Sequence, residues 1–146
     1  MQYSAPEMEA VRIDLDHVGL SVADLDAAER FYGTAFGFTR QIAFELSPHP
    51  IRGLMLRHPS GSRLELFHHA SSVPGPPTAS PIEAHATRGY NHFALVAPEI
   101  DALFAAALDA GARPVIEPRE SPERGVRFAF LADPEGNLVE LVERVR

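Results

Sequence analysis

The chain alternates between two hydrophobic rhythms, and their order repeats. From Ile13 to Val22 the period is two: Val18, Leu20 and Val22 share one face, and His17, Gly19 and Ser21 share the other. Asp24 to Phe36 then turns helical, with Leu25, Ala28, Tyr32 and Ala35 on one stripe and Gly37 as a C-terminal stop. Strands are predicted at 39–46, 51–57 and 63–68. After them, Ser71 to Arg88 is rich in Pro, Ser, Ala and Thr around Pro74-Gly75-Pro76-Pro77, which reads as a linker. The first rhythm then returns. Gly89 to Val96 repeats the first strand, and a helix from Glu99 to Ala110 carries Ile100, Leu103, Phe104, Ala107 and Leu108, stopping at Gly111. Strands follow at 113–117 and 126–132, and the last strand comes after the turn Asp133-Pro134-Glu135-Gly136-Asn137.

Each half is therefore one strand, one helix and three strands. The predicted fold class is α+β, as two tandem βαβββ modules: a loose leader at 1–10, a first module at 11–70, a linker at 71–88 and a second module at 89–146. Neither half can bury its apolar sheet face alone, so the two must pack together, within one chain or between chains. With 146 residues and 45% apolar content, the chain suits one globular unit or two small modules sharing a core. It has no cysteine, which excludes disulfides, thiolate metal sites and a cysteine nucleophile. A formal charge of −7 argues against a nucleic-acid partner. No signal segment or membrane-length apolar run is evident, so a cytoplasmic setting without a membrane partner is expected.

The repeat carries chemistry as well as pattern. His17 and His92 are 75 positions apart, and so are Glu65 and Glu140; in each half the histidine precedes the glutamate by 48. A carboxylate such as Glu140, flanked on its strand face by Leu138 and Val142, needs water at an edge or a partner inside. Two imidazoles and two carboxylates can give four ligands to one divalent ion and leave positions open, a donor set compatible with Ni, Zn, Co, Mn or Fe(II). An ion held in this way can act as a Lewis acid on a carbonyl and stabilise an enediolate, while a Glu that loosens from it serves as base. Weaker candidates are His68 and His69 at a strand end, and His49, His58 and His85 in turn or Pro-rich segments. Phe44, Met55, Phe67, Phe128 and Phe130 line either a pocket or the core, with core the commoner fate of strand aromatics. Arg119, Arg124 and Arg127 flank a loop that is either a solvated charged loop or a cover for an anionic substrate.

Three stretches carry a family resemblance: Asp16-His17-Val18-Gly19-Leu20-Ser21-Val22, Phe31-Tyr32 before Gly37-Phe38, and Asp133 to Leu141. With the paired layout, they resemble the vicinal oxygen chelate superfamily of glyoxalase I, methylmalonyl-CoA epimerase, extradiol dioxygenases and bleomycin-binding proteins. The resemblance covers about residues 11–146. It implies curled, mostly antiparallel sheets around one divalent metal ion per site, with ligands His17, Glu65, His92 and Glu140, and Glu140 or Glu65 as the catalytic base. That ligand set is most similar to bacterial-type glyoxalase I, and implies a metal-dependent lyase or isomerase acting on a small oxo-acid or hydroxy-carbonyl compound. Glutathione-using members resemble one another in an Arg four positions after the first ligand and an Asn four after the first-half Glu. Here Ser21 and His69 stand there, so that anchor for glutathione's carboxylates is missing. An Fe(II)-dependent dioxygenase, needing only His17, His92 and Glu140, is the alternative enzyme class. A non-catalytic antibiotic-binding protein is a third, although such members generally lack the ligand set. A homodimer is expected, because curled sheets have edges to protect and the family usually packs two modules side by side to build a site.

Overall fold

The computed structural model describes residues 13–77 and 79–144; the expected leader at 1–10 lies outside them. The first module is β1 (Val18–Ser21), α1 (Leu25–Phe36), β2 (Thr39–Glu45), β3 (Ile51–Arg57) and β4 (Arg63–His69). A short helix, α2 (Pro81–Ala84), falls in the stretch read as a linker; Ser80 caps it and Pro81 opens it. The second module is β5 (Phe93–Val96), α3 (Ile100–Asp109), β6 (Arg113–Glu120), β7 (Val126–Ala132) and β8 (Leu138–Arg144). Asp24 caps α1 through Ala27 N–H, and Gly37 closes it with a φ of 77°, a conformation that glycine adopts without strain.

Each module forms a four-stranded mixed sheet, ordered β1-β4-β3-β2 and β5-β8-β7-β6, and neither sheet is closed. The first strand of each module runs parallel to the last, because a helix carries the chain across before the antiparallel meander begins. The registers superimpose: Gly19 stands opposite Glu65 and Ala94 opposite Glu140, each pair displaced from the other by 75. The repeat seen along the chain is thus a repeat of strand pairing.

Three elements differ from their expected bounds, and one of them is β5, which begins at Phe93 where the repeat of the first strand is expected from Gly89. The alternation from Ile13 predicts a strand reaching back beyond His17, yet β1 begins at Val18. Its partner β4 starts at Arg63, level with His17, so residues 13–16 have no ladder to join. Conversely, β6 runs on to Glu120 through Pro114 and Pro118, pairing with β7 across two register shifts. It is the outer strand of its sheet, where a residue without an N–H is tolerated.

One apolar core joins the modules. Leu20, Leu54, Leu56, Leu64 and Leu66 from the first sheet meet Phe31, Tyr32 and Phe36 of α1, and the same cluster contains Phe93, Phe104, Val139 and Leu141. Helix α1 packs on α3, and the Tyr32 ring lies 6.4 Å from that of Phe93. Asp133 is buried, and every donor around its carboxylate comes from two places. Its own turn supplies Glu135 N–H, Asn137 N–H and Asn137 Nδ2, and α1 supplies the Tyr32 hydroxyl at 2.8 Å. Glu135 reaches back from the same turn to accept from Ala23 N–H, just beyond β1. Among the described residues no helix is long and apolar enough to cross a membrane.

Candidate metal centre

The core occupies one face of each sheet, and the chemistry lies on the other. In the first sheet the open face carries His17, Glu65 and Phe67, with Met55 opposite Glu65 and Gly53 opposite Phe67. His17 stands immediately before β1, and its Nε2 lies 3.1 Å from Glu65 Oε2. Its other ring nitrogen, Nδ1, is 2.6 Å from Asp16 Oδ2, and Asp16 is itself held by Arg63. The second sheet repeats this arrangement. His92 Nε2 is 3.2 Å from Glu140 Oε2, and His92 Nδ1 is 2.6 Å from Asn91 Oδ1. The Phe130 ring meets the His92 ring edge-on at 4.9 Å.

These contacts settle which nitrogen faces what. Asp16 and the Asn91 carbonyl accept, so Nδ1 of each imidazole carries the proton. In the neutral ring, Nε2 then presents a lone pair toward a carboxylate oxygen. Two acceptors facing each other at 3.1–3.2 Å repel unless a cation shares them. Bonds of about 2.1 Å would set two ligands of one ion roughly 3.0 Å apart at a right angle and roughly 3.4 Å apart in a tetrahedron. The observed separations fall between those values, so the donors present fit a divalent ion. A proton is the competing occupant. The hydrogen bond that His17 donates to Asp16 holds the His17 imidazolium above its usual pKa range, the Glu65 charge acts the same way, and partial burial opposes both. The same hydrogen bond, aided by Arg63, keeps the Asp16 carboxyl below its usual range.

Each His–Glu pair is a half set. Among the described residues of one chain, no three of His, Cys, Asp or Glu gather as a group that could hold a metal. The structure therefore brings His17 to Glu65 and His92 to Glu140, and does not bring the two pairs together within a single chain. The hydrophobic pattern does not single out Asp16 and Asn91. Their signal is nonetheless in the chain, since both immediately precede a candidate ligand and share its offset of 75.

The walls are apolar. Met55 and Phe130 are buried yet lie outside the main core, each directly opposite a site glutamate. Phe44 lies over Gly53, where an added Cβ would overlap its ring, and meets Phe67 edge-on at 5.7 Å. Phe128 packs against Phe130 at 6.2 Å. These five residues line the open faces, the less common fate for strand aromatics. The register decides it: they share the face of Glu65 and Glu140, opposite the helices.

The remaining candidates are placed as follows. His68 Nδ1 contacts the Val22 carbonyl on the core side of β4. His69 Nδ1 accepts from Ser71 N–H, and His58 packs against Phe38 at a tilt while bonding Ser60. His49 and His85 are exposed. Arg127 is not a loop cation, because its guanidinium is held by Asp101 and Glu143 on the helix side of the second sheet. Arg119 bonds the Glu117 carbonyl, and Arg124 is exposed. Ser21 is an exposed residue at the end of β1.

Solved structures share this architecture. A glyoxalase family protein from Bacillus cereus superposes with a TM-score of 0.77 at 21% identity, over 98% of this chain and 100% of that one. Glyoxalase I from Zea mays gives 0.72 at 20% identity over 90% of this chain, which spans 44% of the Zea mays protein. The trypanothione-dependent glyoxalase I of Leishmania major gives 0.67 at 21% identity, covering 90% and 87%. At these identities the likeness is one of fold. None of the curated proteins matches the chain. The sequence profile of the Glyoxalase/Bleomycin resistance protein/Dioxygenase superfamily matches residues 14–141, so the chain belongs to that superfamily.

Proposed function

We propose that the protein is a metal-dependent lyase or isomerase of the glyoxalase I-like type, removing and returning a proton beside the carbonyl of a small oxo-acid or hydroxy-carbonyl compound. His17 and Glu65 of one chain, with His92 and Glu140 of a second, would hold one divalent ion in a homodimer. The observation that carries this reading is the matched orientation of the imidazoles: each Nδ1 is held by the preceding side chain and each Nε2 is turned to a glutamate oxygen. Bound there, the ion would act as a Lewis acid, polarising the carbonyl and offsetting the negative charge that develops as the neighbouring carbon loses its proton.

The chain's own residues supply the rest. Asp16 and Asn91 accept from the Nδ1 atoms and so fix the imidazole orientations in which His17 and His92 offer Nε2 to the ion. Glu140 or Glu65 takes the proton and returns it, each being only half-buried and so able to swing between partners. Met55, Phe67 and Phe130 thin the water around the reacting carbon, which strengthens every charge interaction there.

The deciding experiment joins two measurements on untagged protein: bound metal, and exchange of the α-proton of oxo- and hydroxy-carbonyl probes with solvent deuterium. About one ion per pair of half sets, with metal-dependent exchange, is the expected result. Absence of exchange, with oxygen uptake that requires ferrous iron, would overturn it in favour of the dioxygenase class.

A further inference from the structure

The row of residues across the second sheet at the level of His92 ends in an arginine. One step before the Phe93–Val139 pair, His92 stands level with Leu138; Leu138 pairs with Ala132, and Ala132 with Arg113 on the outer strand. Residues paired directly across a sheet share a face, so Arg113 is on the face of Glu140 and Phe130. Three strand spacings of about 4.8 Å put its Cα roughly 14 Å from that of His92. An extended arginine side chain covers about half of that span. Apolar Leu138 and Ala132 form the floor between.

Arg113 also lines a cavity of about 770 Å³, together with Asn91, Tyr90, Leu138 and Ser21. Asn91 is the residue that holds the His92 ring, so the cavity abuts the candidate metal centre. Among the described residues the side chain of Arg113 makes no hydrogen bond or ion pair, unlike those of Arg40, Arg63, Arg127 and Arg144, each of which is held by a carboxylate. It is the only cationic side chain among the cavity's described lining. The lining's carboxylate, Glu135, is engaged by Ala23 N–H, which leaves the Arg113 guanidinium beside an apolar floor with the geometry to receive an anion.

We propose that Arg113 binds a second carboxylate of the substrate, distal to the oxygens held at the metal centre. The substrate class is then a diacid, with a short apolar segment between its reacting end and a terminal carboxylate. This rests on the reading of His92 and Glu140 as part of a metal centre. A lone planar fork matches a carboxylate in bidentate fashion.

The test compares two probes, a short 2-oxo monoacid and a 2-oxo diacid, titrated by calorimetry into the wild type, Arg113→Gln and Arg113→Lys, with metal content measured in the same samples. The wild type is expected to prefer the diacid by about tenfold or more, the scale of one charge-assisted hydrogen-bonded pair. Arg113→Gln should bring the ratio near one, and Arg113→Lys should keep part of it. A ratio near one in the metal-loaded wild type, or a ratio unchanged in Arg113→Gln, overturns the inference and leaves the metal centre standing. Protein that takes up no metal but keeps an Arg113-dependent diacid preference supports the anion site and defeats the metal reading. Binding of neither metal nor probe defeats both.

Discussion

The Tyr32 hydroxyl donates to Asp133 Oδ2 at 2.8 Å, joining two residues 101 positions apart. One lies on the helix of the first module and the other on the turn that launches the last strand of the second. Through this contact the strand carrying Glu140 is referenced to the helix behind the strand carrying Glu65. The two half sets are therefore joined through one core although they do not meet.

Tyr32→Phe should cost about 1.5–3 kcal/mol at neutral pH, the scale of a hydrogen bond to an ionised group. Burial, then the charge and hydrogen bond of Asp133, raise the Tyr32 pKa well above its ordinary value near 10. The sign follows from linkage. A folded-state pKa above the unfolded one gives stability that is complete below about pH 10 and is lost as pH rises toward the folded value, because only the unfolded chain releases the proton. Thermal unfolding between pH 7 and 11 should thus show the wild type losing its advantage over the Phe variant above pH 10. Curves that stay parallel would count against the buried phenol.

Asp16→Ala should weaken metal binding by about 10–100-fold, the usual effect of removing a partner that orients a ligating imidazole. The variant also releases Arg63 and removes first the hydrogen bond and then the charge that favour the His17 imidazolium, so His17 should titrate at lower pH than in the wild type. Metal titration and proton NMR of the imidazole check the two effects separately.

His17→Ala and His92→Ala should each lose metal. If a centre is built from two chains, mixing the two variants restores one intact centre per heterodimer, made of His17 from one chain and His92 from the other. If a centre is built within one chain, no mixture restores any. Metal stoichiometry after unfolding and co-refolding reads the answer directly, and light scattering checks that dimers have formed.

Glu140→Gln and Glu65→Gln separate holding from chemistry. Glutamine can still offer a carbonyl oxygen to a metal but cannot accept a proton at neutral pH. The variant that removes the base should keep much of its metal and lose about 10²–10⁴ in turnover, and Glu140 is the expected one. Should both variants exchange the substrate α-proton at near-normal rates, the proton-transfer mechanism is wrong.

Much of this architecture can be read along the chain because it depends on neighbours within a few residues. The helix from Leu25 to Phe36 follows from its stripe, its Asp24 cap and Gly37. The strand at Ile51–Arg57 matches its predicted bounds. The offset of 75 survives as a register, since β1, β3 and β4 have the same lengths as β5, β7 and β8 and pair in the same order. Where a result depends on a remote partner, local pattern falls short. Alternation extends to Ile13, but a strand needs a ladder, and β4 offers none before Arg63. Pro118 reads as a strand end, yet the outer position of β6 makes its missing N–H harmless. Periodicity assigns Phe44, Phe67, Phe128 and Phe130 to a face without saying which face the helices will cover. It gives Arg127 a charge without revealing that Asp101 and Glu143 will bind it. Spacing of 48 pairs each histidine with its glutamate on paper, but only the parallel pairing of first and last strand brings the two side chains together. That pairing is a choice of partner between distant segments, settled by which faces the common core must bury.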